Sequence, residues 1–165
     1  MMITLTGFMG SGKTTVGKVL ADFLGCPFMD LDDLIVKKAG KSIPEIFAQD
    51  GEPAFRQLEA RLLRQTVEKY TENTLVLALG GGAVTMPASA ALLRDKTVCI
   101  YLRASLETLL SRLAGETAGR PLANDSLAER LAAREPIYEE TAHVVIDTDG
   151  LTPDEVADEI IISAL

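Results

Sequence analysis

The sequence predicts an α/β domain: a five-stranded parallel sheet with helices on both faces. Three observations predict it. Apolar runs of strand length alternate with helical patterns along the 165 residues. Those runs read as continuous apolar strands, as in a parallel sheet covered by helices on both faces. The first run also passes straight into a glycine-rich turn and then a helix with good formers.

The elements follow in order. Residues 3–6 read as a buried strand and residues 13–24 as a helix carrying Val16, Lys18, Leu20 and Ala21. Residues 27–29 form a second strand, after which Asp32 or Asp33 is able to cap a helix over 33–39 that holds Leu34, Ile35 and Val36. Helices over 43–49 and 52–70 complete an insertion, residues 33–70, longer than one crossover needs and suited to a binding lobe. A third strand, 75–79, runs into Gly80-Gly81-Gly82, and a helix over 88–94 leads to a fourth strand at 97–102. Beyond a helix at 106–113, residues 114–124 are small, polar and helix-breaking, the composition of a lid. A helix over 127–138, a fifth strand over 143–146 and a last helix over 153–164 close the chain, with Thr152 as N-cap and Pro153 in the first helical position. No repeat, low-complexity tract or linker interrupts this, so one domain spanning 1–165 is expected.

Composition narrows the function. A formal charge of −8 and a pI near 4.7 oppose general nucleic-acid binding, which needs a positive surface field. No apolar stretch approaches the 18 residues of a membrane span, and no leader-like segment opens the chain, so a cytoplasmic protein is expected. Cys26 and Cys99 lie far apart and read as buried free thiols, and His143 reads as a structural residue at a strand end.

The chemistry starts at Gly7-Phe8-Met9-Gly10-Ser11-Gly12-Lys13-Thr14, which fits GxxxxGK[ST] between a strand and a helix. In this P-loop, backbone amides and a helix N-terminus converge on phosphates, Lys13 reaches the β- and γ-phosphates, and the Thr14 hydroxyl serves Mg²⁺. Phosphoryl transfer also needs a carboxylate for the metal, a group for the nucleophile and cations for the transferring charge. Asp30 and Asp32 leave the second strand at the sheet edge where ligands bind. Arg56 lies on the insertion either as a site residue or as an exposed i, i+3 partner of Glu59. Three consecutive glycines at 80–82 exceed what a tight turn needs and point to close approach of a ligand. Arg120 on the lid suits a closing clamp, and Arg134 on the next helix is a further candidate for gripping an anion.

The ordered set, Gly7 to Thr15, Asp30-Leu31-Asp32, Phe55-Arg56-Gln57-Leu58-Glu59, Gly80-Gly81-Gly82-Ala83-Val84, Arg120-Pro121-Leu122 and Arg134-Glu135-Pro136-Ile137-Tyr138, resembles the shikimate kinase family along essentially the whole chain. The resemblance implies a P-loop kinase-type three-layer fold and ATP-dependent phosphorylation of the 3-hydroxyl of shikimate, towards chorismate and the aromatic amino acids. It implies that Lys13 and the amides of Gly10, Ser11, Gly12, Thr14 and Thr15 hold the phosphates, with Thr14 and Asp30 at Mg²⁺. Asp32 would orient or deprotonate the attacking hydroxyl. Arg56 and Arg134 would grip the carboxylate, Gly80, Gly81 and Gly82 would close the pocket, and Arg120 would fold in with the lid. Arg112 and Pro153 would flank the adenine. A lone alanine at 123, where a second leucine is usual, is a slight departure. Gluconate and nucleoside monophosphate kinases share the P-loop and a lid but not the set Asp32, Arg56, triple glycine and Arg134, and the NKxD segment of guanine readers is missing. The implied partner is the small-molecule substrate alone, bound by a monomer.

Overall fold

The computed structural model describes residues 1–116 and 124–165. Strand β1 (Met2–Thr6) lies at the centre of a parallel sheet, flanked by β3 (Leu75–Ala78) and β4 (Val98–Arg103). The edges are β2 (Phe28–Asp30) and β5 (Val144–Asp147), giving the order β2-β3-β1-β4-β5. Side chains on successive strand residues face opposite ways, so the central strands feed two cores. Ile3, Leu5, Val76, Ile100 and Leu102 pack under α1 (Lys13–Leu24) and α8 (Pro153–Ala164). Leu75, Leu77, Cys99 and Tyr101 face the other layer, built from α2 (Leu31–Ala39), α3 (Ile43–Asp50), α4 (Glu52–Lys69), α5 (Pro87–Lys96), α6 (Leu106–Glu116) and α7 (Asn124–Thr141). Both faces are covered, so that even Thr4 and Thr6, which alternate with Ile3 and Leu5 in β1, are buried.

The chain leaves β1 towards β2 and later crosses from β3 to β4 on the opposite side of β1. The carboxyl end of β1 is therefore the point where strand order reverses, the place where sheets of this class bind ligands. The P-loop starts there.

Four local expectations change. Helix α2 begins at Leu31, because Asp30 rather than Asp32 or Asp33 is the N-cap, its Oδ1 accepting from the Asp32 amide at 2.9 Å. Thr97 is not in β4 but closes α5, its hydroxyl donating to the Leu93 carbonyl at 2.8 Å and lying 2.9 Å from the buried Thr4 hydroxyl. Helix α7 continues through Pro136 to Thr141, whose hydroxyl bonds the Ile137 carbonyl. Cys26 is only half-buried beside the turn at Gly25, whereas Cys99 is in the core, where burial pushes its thiol up to about 11.

Thr152 forms a capping box with Glu155 ahead of Pro153. His143 accepts the Cys99 N–H at Nδ1 (2.9 Å) and donates from Nε2 to the Arg94 carbonyl (2.9 Å), which fixes the neutral tautomer and a structural role. Among the described residues no helix is long and apolar enough to cross a membrane.

Candidate active site

Gly10 and Gly12 adopt φ of 81° and 92°, the left-handed region that glycine enters without a Cβ penalty. This curls the loop so that the Ser11 amide bonds the Phe8 carbonyl at 3.1 Å and α1 opens at Lys13. The Lys13 ammonium donates to the Gly7 and Phe8 carbonyls at 2.6 and 3.0 Å. Lys13 as a whole is half-buried. Burial, with a smaller contribution from Arg134, lowers its pKa to about 8 against the opposing pull of Asp32 and Asp30. The Ser11 hydroxyl is buried without a partner beneath the loop.

Asp30 does two jobs from one position. While Oδ1 caps α2, Oδ2 accepts from the Thr14 hydroxyl at 2.9 Å, so the two residues expected at the metal are in contact. Among the described residues no group of three or more His, Cys, Asp or Glu side chains forms a metal site. A pair of hard oxygen donors fits Mg²⁺, which takes one or two protein oxygens and completes its shell with water and phosphate.

Beside the loop lies a cavity of about 400 Å³, which brings together Asp32, Arg56, Gly80, Gly81, Gly82 and Arg134 from four separate parts of the chain. Arg56 is not the exposed helix pair that its spacing allowed. Its Nη1 donates at 2.8 Å to Glu59 Oε1, and Glu59 is 1 % exposed, with the exposed Glu52 a looser partner at 3.5 Å from Nε. Glu59 Oε2 has no partner, and burial raises the carboxyl pKa in spite of Arg56. Burial likewise raises Asp32, helped by Asp30 and Asp33 and opposed by Lys13 and Arg56.

The glycines are there for space. A Cβ on Gly80 would lie 2.9 Å from Asp32 Oδ1 and 3.0 Å from Glu59 Oε2, and one on Gly82 would lie 2.3 Å from Arg56 Nη2. Arg134 stacks 5.8 Å from the Phe8 ring centre. One turn further along α7, the buried Tyr138 hydroxyl donates to the Gly81 carbonyl, which ties the arginine helix to the glycine turn.

A second cleft of about 290 Å³ contains Lys13, Thr14, Thr15 and Asp30 and shares Met9, Asp32, Gly80 and Gly81 with the first. A third, of about 320 Å³, contains Arg112 and Pro153 and shares Gly10, Gly12 and Thr15 with the second. Arg112 donates to the Gly10 carbonyl at 2.9 Å. The three form one trough along the sheet edge, with Lys13 and Asp32 at its middle. Arg120 and the centre of the expected lid lie outside the described residues.

Glu59, Tyr138 and Arg130 also belong to this region, and the residue patterns alone did not select them. Each was within reach as a helical neighbour, Glu59 three residues from Arg56, and Arg130 and Tyr138 four residues either side of Arg134.

A family model described as shikimate kinase matches residues 9–164. The chain belongs to the shikimate kinase family. A shikimate kinase from Salinibacter ruber is 44% identical over 162 residues, covering 90% of this chain and 78% of its own. One from Enterococcus faecalis is 42% identical over 164 residues, covering 96% of this chain and 95% of its own. Among solved structures, the Acinetobacter baumannii shikimate kinase in complex with shikimate has a TM-score of 0.88 at 37% identity, over 97% of this chain and 90% of that one. The Aquifex aeolicus enzyme has a TM-score of 0.84 at 35% identity, over 99% and 95%. The protein is thus a kinase with the P-loop kinase fold expected of this family.

Proposed function

We propose that the protein transfers the γ-phosphoryl group of ATP to the 3-hydroxyl of shikimate, giving shikimate 3-phosphate and ADP on the route to chorismate and the aromatic amino acids. The observation that carries this reading is the trough. Its donor half holds the P-loop, and its acceptor half sets the guanidinium groups of Arg56 and Arg134 beside the half-buried Asp32 and the buried Glu59. An acceptor with one carboxylate and several hydroxyls matches that polarity: fork-shaped donors suit its carboxylate, and Asp32 and the unpartnered Glu59 Oε2 suit its hydroxyls.

In this reading the P-loop amides of Gly10, Ser11, Gly12, Thr14 and Thr15 hold the phosphates together with the Lys13 ammonium, which leaves the Gly7 and Phe8 carbonyls. Arg56 and Arg134 hold the carboxylate, Gly80, Gly81 and Gly82 let the ring approach the backbone, and Asp32 orients the attacking hydroxyl and receives its proton. The bond from hydroxyl oxygen to γ-phosphorus forms as the β–γ bridging bond breaks, and ADP leaves with that bridging oxygen. Thr14 and Asp30 would hold Mg²⁺, which neutralises phosphate charge when bound. Arg112 and Pro153 would flank the adenine, and Arg120 would close with the lid over residues 114–124. We further propose a monomeric cytoplasmic enzyme made of one domain, with its acceptor lobe in residues 33–70.

The test is ADP release with ATP and Mg²⁺ against a panel of shikimate, gluconate and nucleoside monophosphates. Release stimulated by shikimate alone supports the proposal, and release indifferent to every acceptor overturns it.

A further inference from the structure

We infer that Arg130 is a third cationic recognition residue of the acceptor cavity, one that captures the acceptor's carboxylate before it settles between Arg56 and Arg134. This inference rests on the proposed shikimate-phosphorylating reading and extends it to how an anionic substrate enters an acidic protein.

Arg130 lines the same cavity as Asp32, Arg56 and Arg134. It stands four residues before Arg134 on α7, so both side chains share one helix face about one turn, roughly 5–6 Å, apart. The partners distinguish the three arginines. Arg56 is held by Glu59 and Glu52, and Arg134 stacks on Phe8. Half-buried Arg130 makes no hydrogen bond, ion pair or ring contact among the described residues.

A guanidinium in a cavity with no partner among the described residues fits an anion that comes and goes. A residue that merely completes the fold would be expected to have a fixed partner. The overall charge supplies the need for it. With −8 on the chain and the exposed Glu52 carboxylate on the cavity wall, the field outside repels a carboxylate, and an unneutralised cation inside the cavity reverses that locally. Arg56 is already balanced by carboxylates and contributes less to this attraction. Arg130, with no partner among the described residues, contributes it.

The opposing view, in which Arg130 is one more solvated charge on a helix, makes a different prediction. The test compares R130A, R130Q and R130K with R61A, which removes the same charge from an exposed position on α4 outside the cavity. R130A and R130Q should raise the KM for shikimate about three- to tenfold, between the effect of an exposed pair and that of a buried charge-assisted bond. The values of kcat and of the KM for ATP should stay within about twofold. The fall of kcat/KM for shikimate with added salt should become shallower. R130K should restore part of the KM, because it keeps the charge and loses the fork, and R61A should match wild type.

An R130A enzyme with wild-type KM and salt response overturns the role of Arg130, and so does an R61A enzyme that shifts as far as R130A. If the wild-type enzyme turns over ATP without responding to shikimate, the function itself fails, and this role with it.

Discussion

Substituting Gly82 by alanine separates the acceptor site from the fold. At φ −105° and ψ 5° the backbone of residue 82 is open to alanine, so no torsional strain enters. The new Cβ would lie 2.3 Å from Nη2, 2.6 Å from Cζ and 2.7 Å from Nη1 of Arg56, where ordinary contact begins near 3.4 Å. The guanidinium must therefore retreat by about 1 Å, a misplacement that costs as much as about 100-fold when it affects a positioning group. It is the far end of a flexible side chain, so the fold gives way easily.

Two opposing effects set the change in stability. Losing the 2.8 Å bond leaves the buried Glu59 carboxyl short of a donor, at about 1–3 kcal/mol. Restricting the unfolded chain returns about 0.4–1 kcal/mol. A net loss of about 1–2 kcal/mol lowers Tm by roughly 2–8 °C in a domain of this size.

Substrate binding changes more. Losing one charge-assisted carboxylate contact, worth about 1.5–3 kcal/mol, raises the KM for shikimate about 10- to 150-fold. The KM for ATP should hold, since Lys13 and the loop are untouched. The assay is steady-state kinetics with each substrate varied, alongside thermal melts, for G82A, R56A and the double variant. Both single changes remove the same contact, so the double variant should be no worse than R56A within about twofold. A G82A enzyme with wild-type KM for shikimate, or with effects that add to those of R56A, refutes the reasoning.

Three further outcomes are expected. Asp32→Asn should cut kcat about 100-fold or more with the melt preserved, and near-normal kcat removes Asp32 as the proton acceptor. Since burial and neighbouring carboxylates raise its pKa, the acid limb of kcat/KM should lie above the usual carboxylate range, and a limb at or below that range contradicts this. For Glu59, the folded pKa is raised above the ordinary 4.5, so the fold binds its proton more tightly than the unfolded chain does. Stability from this group is complete below that ordinary value and is lost as pH rises through the folded pKa. Glu59→Gln should therefore gain on wild type in Tm across that window while weakening shikimate binding, and a Tm difference that moves the other way sinks the burial argument. Lys13, at about 8 when free of nucleotide, should take up about half a proton at pH 8 when the phosphates of ADP bind. Calorimetry in two buffers of different ionisation enthalpy reads this, and no uptake counts against the lowered pKa.

Much of the fold was legible because its signals are local. Gly10, Gly12 and Lys13 announce the loop by spacing alone, and continuous apolar runs such as Leu75 to Leu77 announce a doubly covered sheet. What stayed hidden depends on contacts between distant segments. The spacing of Arg56 and Glu59 shows that they meet on one helix face. That Glu59 is buried follows only once α4 packs on the sheet and the glycine turn. Asp30 caps α2 while its other oxygen meets Thr14, sixteen residues away, and three aspartates within four residues offered no local reason to prefer it. The bond from the Tyr138 hydroxyl to the Gly81 carbonyl likewise joins segments 57 residues apart. The triple glycine pointed to close approach of a ligand, and what the structure places against it is the protein's own Arg56, Asp32 and Glu59.

The central claim is that the trough holds the acceptor by its carboxylate and presents one hydroxyl to the phosphate at Lys13. The position of phosphorylation tests it most directly. Shikimate turned over with ATP and Mg²⁺ should give one product, and phosphorus–proton coupling in its NMR spectrum should place the phosphate on the 3-hydroxyl, with ADP formed in equal amount. A mixture of phosphorylated hydroxyls, or ADP formed with no phosphorylated shikimate, would contradict the account.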